Sequence, residues 1–376
     1  MGVHRRQGTV TRGARRGAAL VTLSLSSLLP VADATAAPPA EVTVMTQNLY
    51  LGSSLAPALT APDAPAFVRA VAQIYGTMLF TNFPVRAARI ADTIAAEQPD
   101  VIGLQEVSTW VATPTHAGPT PASFDFLVIL QAQLAARGLD YEVAAVSDNA
   151  HIGPAPLVFP PAGCNVPPPT APASFDCVIE LFDRDVILVN RETPGLEWSK
   201  DRSGQFETQA TVTVPTGNPQ MPAAEVSFDR GWAAIDVTYQ GRFFRFVDTH
   251  LEVEDFPAVQ QAQAAELLAG PMRPGRALIA VGDFNSAADG STTATYARLT
   301  SVWLRDVVPS PSPSDTCCQD GALSNPVSQL SQRIDLVLTH GAAYGIGAHV
   351  DTQAIATGTP PFWASDHAGV VATIEV

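Results

Sequence analysis

Short apolar segments with the alternation typical of β-strands recur along the whole chain, and few helical segments separate them. Strand candidates lie at residues 41–49, 101–107, 141–146, 185–190, 207–214, 232–239, 242–250, 277–283, 334–339 and 368–376. Helical periodicity is found at residues 64–75, 84–97, 122–137, 257–269 and 291–299. A doubly wound parallel sheet requires a helix between successive strands. The sequence therefore predicts two packed sheets flanked by helices, an α/β fold of the α+β class.

Polar residues interrupt the apolar segments mainly at their carboxyl ends. They are Asn48, Glu106, His250, Asp283 with Asn285, and Asp366 with His367, and Asp335 joins them within Arg-Ile-Asp-Leu-Val-Leu. Asp283 and Asn285 are two residues apart, so on an extended backbone both side chains point to the same side. Strand ends at one edge of a sandwich can converge on a single cleft. The pattern therefore predicts one site rather than scattered surface polarity.

The residue types in this set are those that phosphoryl chemistry requires. Carboxylate oxygens are hard ligands that suit Mg²⁺, and imidazoles transfer protons near neutral pH. Amide groups donate hydrogen bonds that stabilise negative charge on phosphate oxygens. A serine hydrolase is disfavoured because the chain has no Gly-x-Ser-x-Gly segment. A metal cluster of His250, Glu252 and Glu254 is an alternative, since alternate strand residues share a face, but we favour His250 alone.

The order of these motifs resembles the endonuclease/exonuclease/phosphatase superfamily, which includes DNase I, abasic-site endonucleases, bacterial sphingomyelinases and inositol polyphosphate 5-phosphatases. The matching segments are Gln47-Asn48-Leu49, Leu104-Gln105-Glu106-Val107, Arg230-Gly231, Asp248-Thr249-His250-Leu251, Gly282-Asp283-Phe284-Asn285, Arg333-Ile334-Asp335 and Ser365-Asp366-His367. They occur in the family's order and span residues 41–376. The resemblance implies a DNase I-like, four-layer α/β/β/α sandwich of two mixed sheets.

The resemblance also implies a metal site. Glu106 would be the principal ligand, and Asn48 and Asp366 would contribute around the ion. The expected ion is Mg²⁺, with Mn²⁺ and Ca²⁺ as alternatives. Whether the site holds one ion or two stays open.

Five further residues receive catalytic roles from the resemblance. Asp283 would orient or deprotonate the attacking water, and Asn285 would hydrogen-bond the phosphate. His250 and His367 would flank the scissile group. Asp335 would orient a neighbour or help to hold a second ion. The general base, a histidine or the carboxylate of Asp283, is left open.

Departures from the family pattern narrow the substrate. Ala368 and Gly369 follow His367, where many members have a proline, and the signature of the inositol phosphatases is missing. The abasic-site enzymes have a tyrosine where this chain has His250. We therefore expect a phosphodiester substrate, either nucleic acid or a phospholipid headgroup. A phosphomonoesterase acting on a small ligand and a non-catalytic binding module are the alternatives.

The amino terminus reads as a secretory signal. Five arginines precede an apolar run from Ala18 to Val31, and Ala34-Thr35-Ala36 offers the small residues of a cleavage site. We expect residues 1–36 to be a signal peptide, 37–40 a leader and 41–376 the catalytic domain of a secreted protein, extracellular or periplasmic. The export route stays open. No later segment is long and apolar enough for a transmembrane helix, and we expect a monomer.

Charge and cysteines add two constraints. The formal net charge is −15, and removal of the arginine-rich signal would make it more negative. A negatively charged surface repels polyanions, so this charge weighs against polyanionic substrates. Cys164, Cys177, Cys317 and Cys318 make disulfides plausible in an exported protein, and all three pairings stay open. Proline-rich loop insertions near 151–177 and 309–326 contain these cysteines, and we expect them to shape access to the substrate site.

Overall fold

The computed structural model has many strands and few helices, as the sequence predicts. It describes Gly2 and residues 40–115, 121–157, 177–218, 221–308, 314–356 and 358–376. Strands are β1 (Glu41–Asn48), β2 (Val101–Gln105), β3 (Thr109–Pro114), β4 (Ala122–Asp125), β5 (Tyr141–Leu157), β6 (Cys177–Asn190), β7 (Leu196–Gln205), β8 (Ala210–Asn218), β9 (Met221–Phe228), β10 (Gly231–Tyr239), β11 (Arg242–His250), β12 (Ala277–Asp283), β13 (Arg305–Asp306), β14 (Asp335–His340), β15 (Tyr344–Asp351) and β16 (Gly369–Glu375). Helices are α1 (Ala56–Leu59), α2 (Ala64–Phe80), α3 (Phe83–Glu97), α4 (Phe126–Ala135), α5 (Pro257–Ala269) and α6 (Thr295–Thr300). The predicted signal peptide lies, apart from Gly2, outside the described residues.

Two large mixed sheets form the centre of the fold. The first has the order β15-β16-β1-β2-β6-β3-β4, with β5 also paired to β6, and the second has the order β13-β14-β12-β11-β10-β7. Each contains one parallel pair, β1 with β2 and β11 with β12. Parallel neighbours require a crossover connection. The connection contains α1, α2 and α3 between β1 and β2, and α5 between β11 and β12. The other pairs in these sheets are antiparallel.

The layer between the two sheets is apolar. Val42 and Val44 of β1 pack there with Phe246 of β11 and Val281 of β12, and all four side chains are fully or almost fully buried. Alternate residues of one strand face one side of a sheet. The period-two pattern of the sequence therefore supplies this layer directly.

Helices cover the outer faces of both sheets. Met45, next to Val44 in β1, points away from the inter-sheet layer and packs with Ile90 of α3. On the second sheet, Ala280 of β12 packs with Leu267 of α5. The four-layer α/β/β/α sandwich of two mixed sheets is thus confirmed.

One predicted helix begins later than expected. Residues 122–125, predicted as helical, form β4 and pair with β3. The helix starts at Phe126 because the side chain of Asp125 accepts hydrogen bonds from the backbone N–H groups of Leu127 and Val128. An aspartate in this position satisfies N–H groups that would otherwise lack partners at the helix start.

The first proline-rich segment is a strand over part of its length. We predicted a loop from Gly153, but β5 continues to Leu157 and pairs with β6 through Pro156 and Val178. The ladder accommodates the prolines because its register shifts between Ile152 and Ala155, and such bulges interrupt regular pairing. Residues 158–176, including Cys164, lie outside the described residues. Cys177 is disulfide-bonded.

A cluster of cations surrounds one buried carboxylate on the second sheet. Asp236 lies 2.8 Å from Arg276, 3.0 Å from both Arg202 and Arg245, and 3.3 Å from Lys200. Burial acts to raise the pKa of Asp236, but the hydrogen bond and charge of Arg245 and the other cations outweigh it, so the pKa is lowered. The ionised form of Asp236 therefore stabilises the fold.

We expect Asp236→Asn to lower the free energy of unfolding by about 2 kcal/mol at neutral pH, because it leaves the four cations without their shared partner. A carboxyl group whose pKa is lowered on folding stabilises the folded state at pH values above its unfolded pKa of about 3.9. This stabilisation is lost as the pH falls through the folded pKa. The difference between variant and wild type should therefore shrink towards pH 3. Urea unfolding at both pH values tests this, with exposed Asp201→Asn as control. Equal stability of Asp236→Asn and wild type at pH 7 would contradict it.

Candidate active site

Strand register brings the predicted residues of the second sheet together at one edge. His250 is the register partner of Asp283 in the parallel pair β11 and β12, and Asp283 is the partner of Asp335 in the antiparallel pair β12 and β14. In the first sheet, Asn48 is the partner of Gln105, the residue before Glu106. The carboxyl ends of the two parallel pairs therefore meet at the same end of the sandwich.

Asn48 connects the two sheets. Its Nδ2 donates hydrogen bonds to Glu106 Oε1 and to Asp283 Oδ2, both at 3.2 Å. Its Oδ1 accepts a bond from the backbone of Tyr50 at 2.8 Å. Glu106 also accepts a bond at Oε2 from the backbone of Leu51 at 2.6 Å. The side chain at the end of β1 thus places the two acidic groups relative to each other.

Glu106 and Asn285 both have left-handed backbones, with φ of +53° and +48°. This region is costly for residues with a Cβ atom, and such strain persists only where the surroundings impose it. Hydrogen bonds hold both turns, from Val107 N to Arg184 O at 2.9 Å and from Asn285 N to Asp283 Oδ1 at 2.9 Å. Because of these turns, the side chains of Glu106 and Asn285 point towards the end of the sandwich where the strands finish.

Asp283 lies at the centre of the site. Its Oδ2 is 3.5 Å from His250 Nε2 and 3.7 Å from His367 Nε2. Burial raises the pKa of Asp283 to about 7. The positive charge of His367 opposes this shift, and the negative charge of Asp335 adds to it. An acid in contact with two imidazoles can exchange or orient a proton at this position.

His367 is oriented by Asp335. Its Nδ1 lies 2.8 Å from Asp335 Oδ2, which leaves Nε2 facing Asp283. Burial alone would lower the pKa of His367, but the carboxylates of Asp335, Asp283 and Asp366 outweigh it and hold the pKa well above its usual value. His367 is therefore cationic at neutral pH in this arrangement.

His250 has the opposite electrostatic environment. Arg230 Nη1 lies 2.9 Å from its Nδ1, and the amide nitrogen of Asn285 lies 3.1 Å from its Nε2. Burial, Arg230 and His367 lower the pKa of His250 well below its usual value. The two histidines thus differ in charge, as expected where environments separate the protonation states of similar groups.

The three predicted metal ligands form a set of hard oxygen donors. Glu106 and Asp366 are partly exposed, whereas Asp283 and Asp335 are buried. Burial raises the pKa of Asp366 to about 7, His367 opposes this, and the charge of Glu106 raises it further. The Oδ1 atom of Asn48 keeps a second lone pair beyond its bond to Tyr50. Two carboxylates and a carboxamide oxygen fit Mg²⁺ or Ca²⁺ rather than Zn²⁺.

A second set of potential metal ligands lies beside the three predicted ones. Asp283, Asp335 and His367 each place one donor atom within 4.8 Å of the others. The 2.8 Å contact between His367 and Asp335 suits the orienting role predicted for Asp335. Among the residues that the structure describes, the alternative cluster of His250, Glu252 and Glu254 does not form. Glu254 is exposed, and the carboxylate of Glu252 accepts a hydrogen bond from the backbone N–H of Val253.

All eight predicted site residues therefore lie in one connected network. Hydrogen bonds and close contacts join the members Asn48, Glu106, His250, Asp283, Asn285, Asp335, Asp366 and His367. The individual roles assigned to them remain predictions.

Several buried charged residues beneath this network carry no role in the sequence interpretation. Asp185 and Asp248 are fully buried, and burial raises the pKa of both well above the usual value. Burial raises the pKa of Asp183 to about 6. Gln105 donates to Asp248 at 2.6 Å. The only sequence signal for this layer is an acid inside an otherwise apolar strand.

Arg86 joins the two segments that carry metal-site residues. This fully buried side chain donates to the carbonyls of Leu49 at 2.6 Å, Tyr50 at 3.0 Å and Ala364 at 3.0 Å. Leu49 and Tyr50 follow Asn48, and Ala364 precedes Asp366 by two residues. Arg86 was not predicted as a supporting residue because it lies in the predicted helix 84–97, where an arginine is usually solvent-exposed.

The second proline-rich segment packs against the site where it is described. Gln319 N donates to Asp366 O at 2.9 Å, and Ala368 N donates to Thr316 O at 2.8 Å. Cys317 and Cys318 are disulfide-bonded to each other, and Cys318 Sγ lies 4.0 Å from His367 Nε2. Residues 309–313 lie outside the described residues.

Comparison with known proteins places this geometry in a family. The sequence model of the Endonuclease/Exonuclease/phosphatase family matches residues 45–367. A comparison with curated proteins found no match.

Solved structures share the fold at low sequence identity. An endonuclease/exonuclease/phosphatase from Bacteroides vulgatus has a TM-score of 0.50 and 14% identity, over 90% of this chain and 99% of that one. A family protein from Leptotrichia buccalis has a TM-score of 0.51 and 16% identity, over 89% and 100%. D. rerio TDP2, complexed with single strand DNA product, has a TM-score of 0.50 and 14% identity, over 90% and 100%. With the family match over most of its length, the chain belongs to the Endonuclease/Exonuclease/phosphatase family.

Proposed function

We propose that this protein is a secreted, Mg²⁺-dependent phosphodiesterase that cleaves its substrate by in-line attack of an activated water. The observation that carries the proposal is the position of Asp283. Its carboxylate lies between two histidines of different charge and within hydrogen-bond distance of Asn48. Phosphoester hydrolysis is the chemistry general to the family.

Protein groups lie around the position where a phosphate would react. Asp283 orients the attacking water, with Oδ1 held by the backbone of Asn285. Cationic His367 places positive charge beside the phosphoryl oxygens, where charge develops in the transition state. Arg230 and Asn285 offer N–H groups next to neutral His250. In-line displacement requires groups on both sides of phosphorus, and the two histidines supply them.

Glu106, Asn48 and Asp366 would hold the ion. A bound Mg²⁺ supplies charge stabilisation for the phosphate and its leaving oxygen, and Mn²⁺ and Ca²⁺ are alternatives. The similar TDP2 structure from D. rerio contains a single strand DNA product, which supports a phosphodiester as the substrate class.

Export and a monomeric state belong to the same proposal. Export is supported by the arginine-rich, apolar and small-residue segments in residues 1–36. Among the residues that the structure describes, no helix is both long enough and apolar enough to span a membrane. The mature amino terminus and the mass of the secreted protein in solution test this part.

A parallel assay of the purified protein tests the activity. Bis(p-nitrophenyl) phosphate, DNA, sphingomyelin vesicles and p-nitrophenyl phosphate are incubated with Mg²⁺ or with EDTA, and Asp283→Ala serves as the control. We expect Mg²⁺-dependent cleavage of at least one diester, and none by the variant. Turnover of the monoester alone would assign a phosphomonoesterase. No turnover above the Asp283→Ala control on any substrate would favour a binding module.

A further inference from the structure

A large apolar cavity lies next to the site. It has a volume of about 1040 Å³, at the upper end of the range for small-molecule pockets. Its walls come from α2, from the outer parts of β5 and β6, and from the β8–β9 hairpin. Apolar side chains dominate the lining, among them Phe67, Ile74, Ile179, Val214 and Val226.

The cavity adjoins the site on the side of Glu106. Trp110 lines the cavity and donates from Nε1 to the carbonyl of Leu51 at 2.8 Å. The backbone N–H of Leu51 donates to Glu106 Oε2 at 2.6 Å. Trp110 and Leu51 therefore link the cavity wall to the principal predicted metal ligand by hydrogen bonds.

A second connection runs to the histidine side. Asp229 lines the cavity, and the next residue, Arg230, places Nη1 2.9 Å from His250 Nδ1. The cavity wall is thus linked through Leu51 to Glu106 and through Arg230 to His250, the groups between which the phosphate would lie.

The charge of the lining excludes a polyanion as occupant. Among the described residues that line the cavity there is no lysine or arginine, whereas Glu225 and Asp229 are acidic. Nucleic acid binding depends on cations that neutralise phosphates. An uncharged hydrocarbon chain, in contrast, gains by leaving water for such a lining.

We propose that the cavity binds the hydrocarbon chain of the substrate, so that the enzyme acts on phosphodiesters in which one ester group is a long alkyl chain. This rests on the proposed phosphodiesterase activity and chooses the lipid class over nucleic acid. The phosphate lies at the site, and the chain extends between α2 and the β8–β9 hairpin.

A series of p-nitrophenyl alkyl phosphodiesters tests the proposal, from the methyl to the octyl ester, each below its critical micelle concentration. We expect kcat/KM to rise by about tenfold or more along the series, because each buried methylene adds binding free energy. Equal rates for methyl and octyl esters would overturn the proposal while leaving the phosphodiesterase activity established.

A variant that fills the cavity makes the test specific. Ala155→Phe/Val226→Phe places two rings into the lining, and Val128→Phe/Ala135→Phe places the same substitutions on the exposed face of α4. We expect the first variant to lose the chain-length effect and keep the methyl ester rate, which also reports correct folding. The second should behave as wild type. A chain-length effect that persists in the filled variant would overturn the proposal.

Binding is measured separately from turnover. Saturable quenching of tryptophan fluorescence by 11-bromoundecan-1-ol reports a chain beside Trp110. We expect it in wild type and expect it to be at least about fivefold weaker in the filled variant. Absence of saturable quenching in wild type overturns the proposal even if diesters are cleaved. Quenching without cleavage of any diester shows that the proposed function fails, and the substrate assignment fails with it.

Discussion

Glu106→Gln is expected to reduce phosphodiester hydrolysis by about a thousandfold or more. The substitution keeps the size of the side chain and an oxygen that can accept the bond from Leu51, but it removes the negative charge that is proposed to anchor the ion. A catalytic metal supplies several kcal/mol of transition-state stabilisation, and about 4 kcal/mol corresponds to a thousandfold in rate. The measurement is hydrolysis of bis(p-nitrophenyl) phosphate over a range of Mg²⁺ concentrations.

The control for this experiment is Glu254→Gln. Glu254 is exposed and belongs to the alternative metal cluster with His250, so this variant should keep its activity and its Mg²⁺ dependence. Calorimetric titration with Mg²⁺ gives a readout independent of turnover, and Glu106→Gln should bind the ion more weakly. Retention of most of the rate at saturating Mg²⁺ would show that the metal site is misplaced.

Asp283→Asn is expected to lower kcat by about a thousandfold while leaving the fold intact. The variant loses the carboxylate that faces both His250 and His367. If this carboxylate orients or deprotonates the attacking water as proposed, its loss costs about 10² to 10⁴ in rate, the range for a positioned proton-transfer group. The amide oxygen preserves the hydrogen bond to Asn285 N, but the amide nitrogen replaces the oxygen that accepts from Asn48 Nδ2. We therefore expect a modest fall in melting temperature with an unchanged cooperative unfolding transition.

A double variant tests whether Asp283 acts as one unit with His367. If they act together, Asp283→Asn/His367→Gln should be little slower than the slower single variant, because losses within one catalytic unit do not add. Asp289→Asn, an exposed change six residues further along the chain, is the matched control and should retain wild-type kcat. Multiplicative losses in the double variant would mean that the two residues act in separate steps.

Local patterns predicted those parts of the fold that depend on neighbouring residues. Period-two alternation in β1 specified which side chains fill the layer between the sheets, because strand geometry alone assigns alternate residues to opposite faces. The helix 84–97 corresponds to α3 at Phe83–Glu97. The extension of β5 to Leu157 was not predicted, because prolines oppose regular pairing locally and the compensating register shifts depend on the distant strand β6.

The residues of the candidate site were identified from the sequence by their residue types, their positions at strand ends and their order along the chain. Those features are set by local propensity and by motifs a few residues long. The supporting roles of Arg86, Asp185 and Asp248 were not predicted, although Asp248 lies in one of the family-like segments, since their burial depends on segments far apart in the chain. A charged residue gives no local signal that its partners will be backbone carbonyls more than 270 residues away, as Ala364 is for Arg86.

The sequence by itself thus determined the positions of the central strands, the two-sheet class and the chemical set of acids, amides and histidines. Only the tertiary structure decided that Asp283 lies between His250 and His367, that the two histidines have opposite electrostatic environments, and that an apolar cavity is lined by Trp110. The physical reason is that distances between strand ends, the burial of charges and the shape of a cavity arise from contacts between segments remote in sequence. No periodicity or motif spacing encodes such contacts.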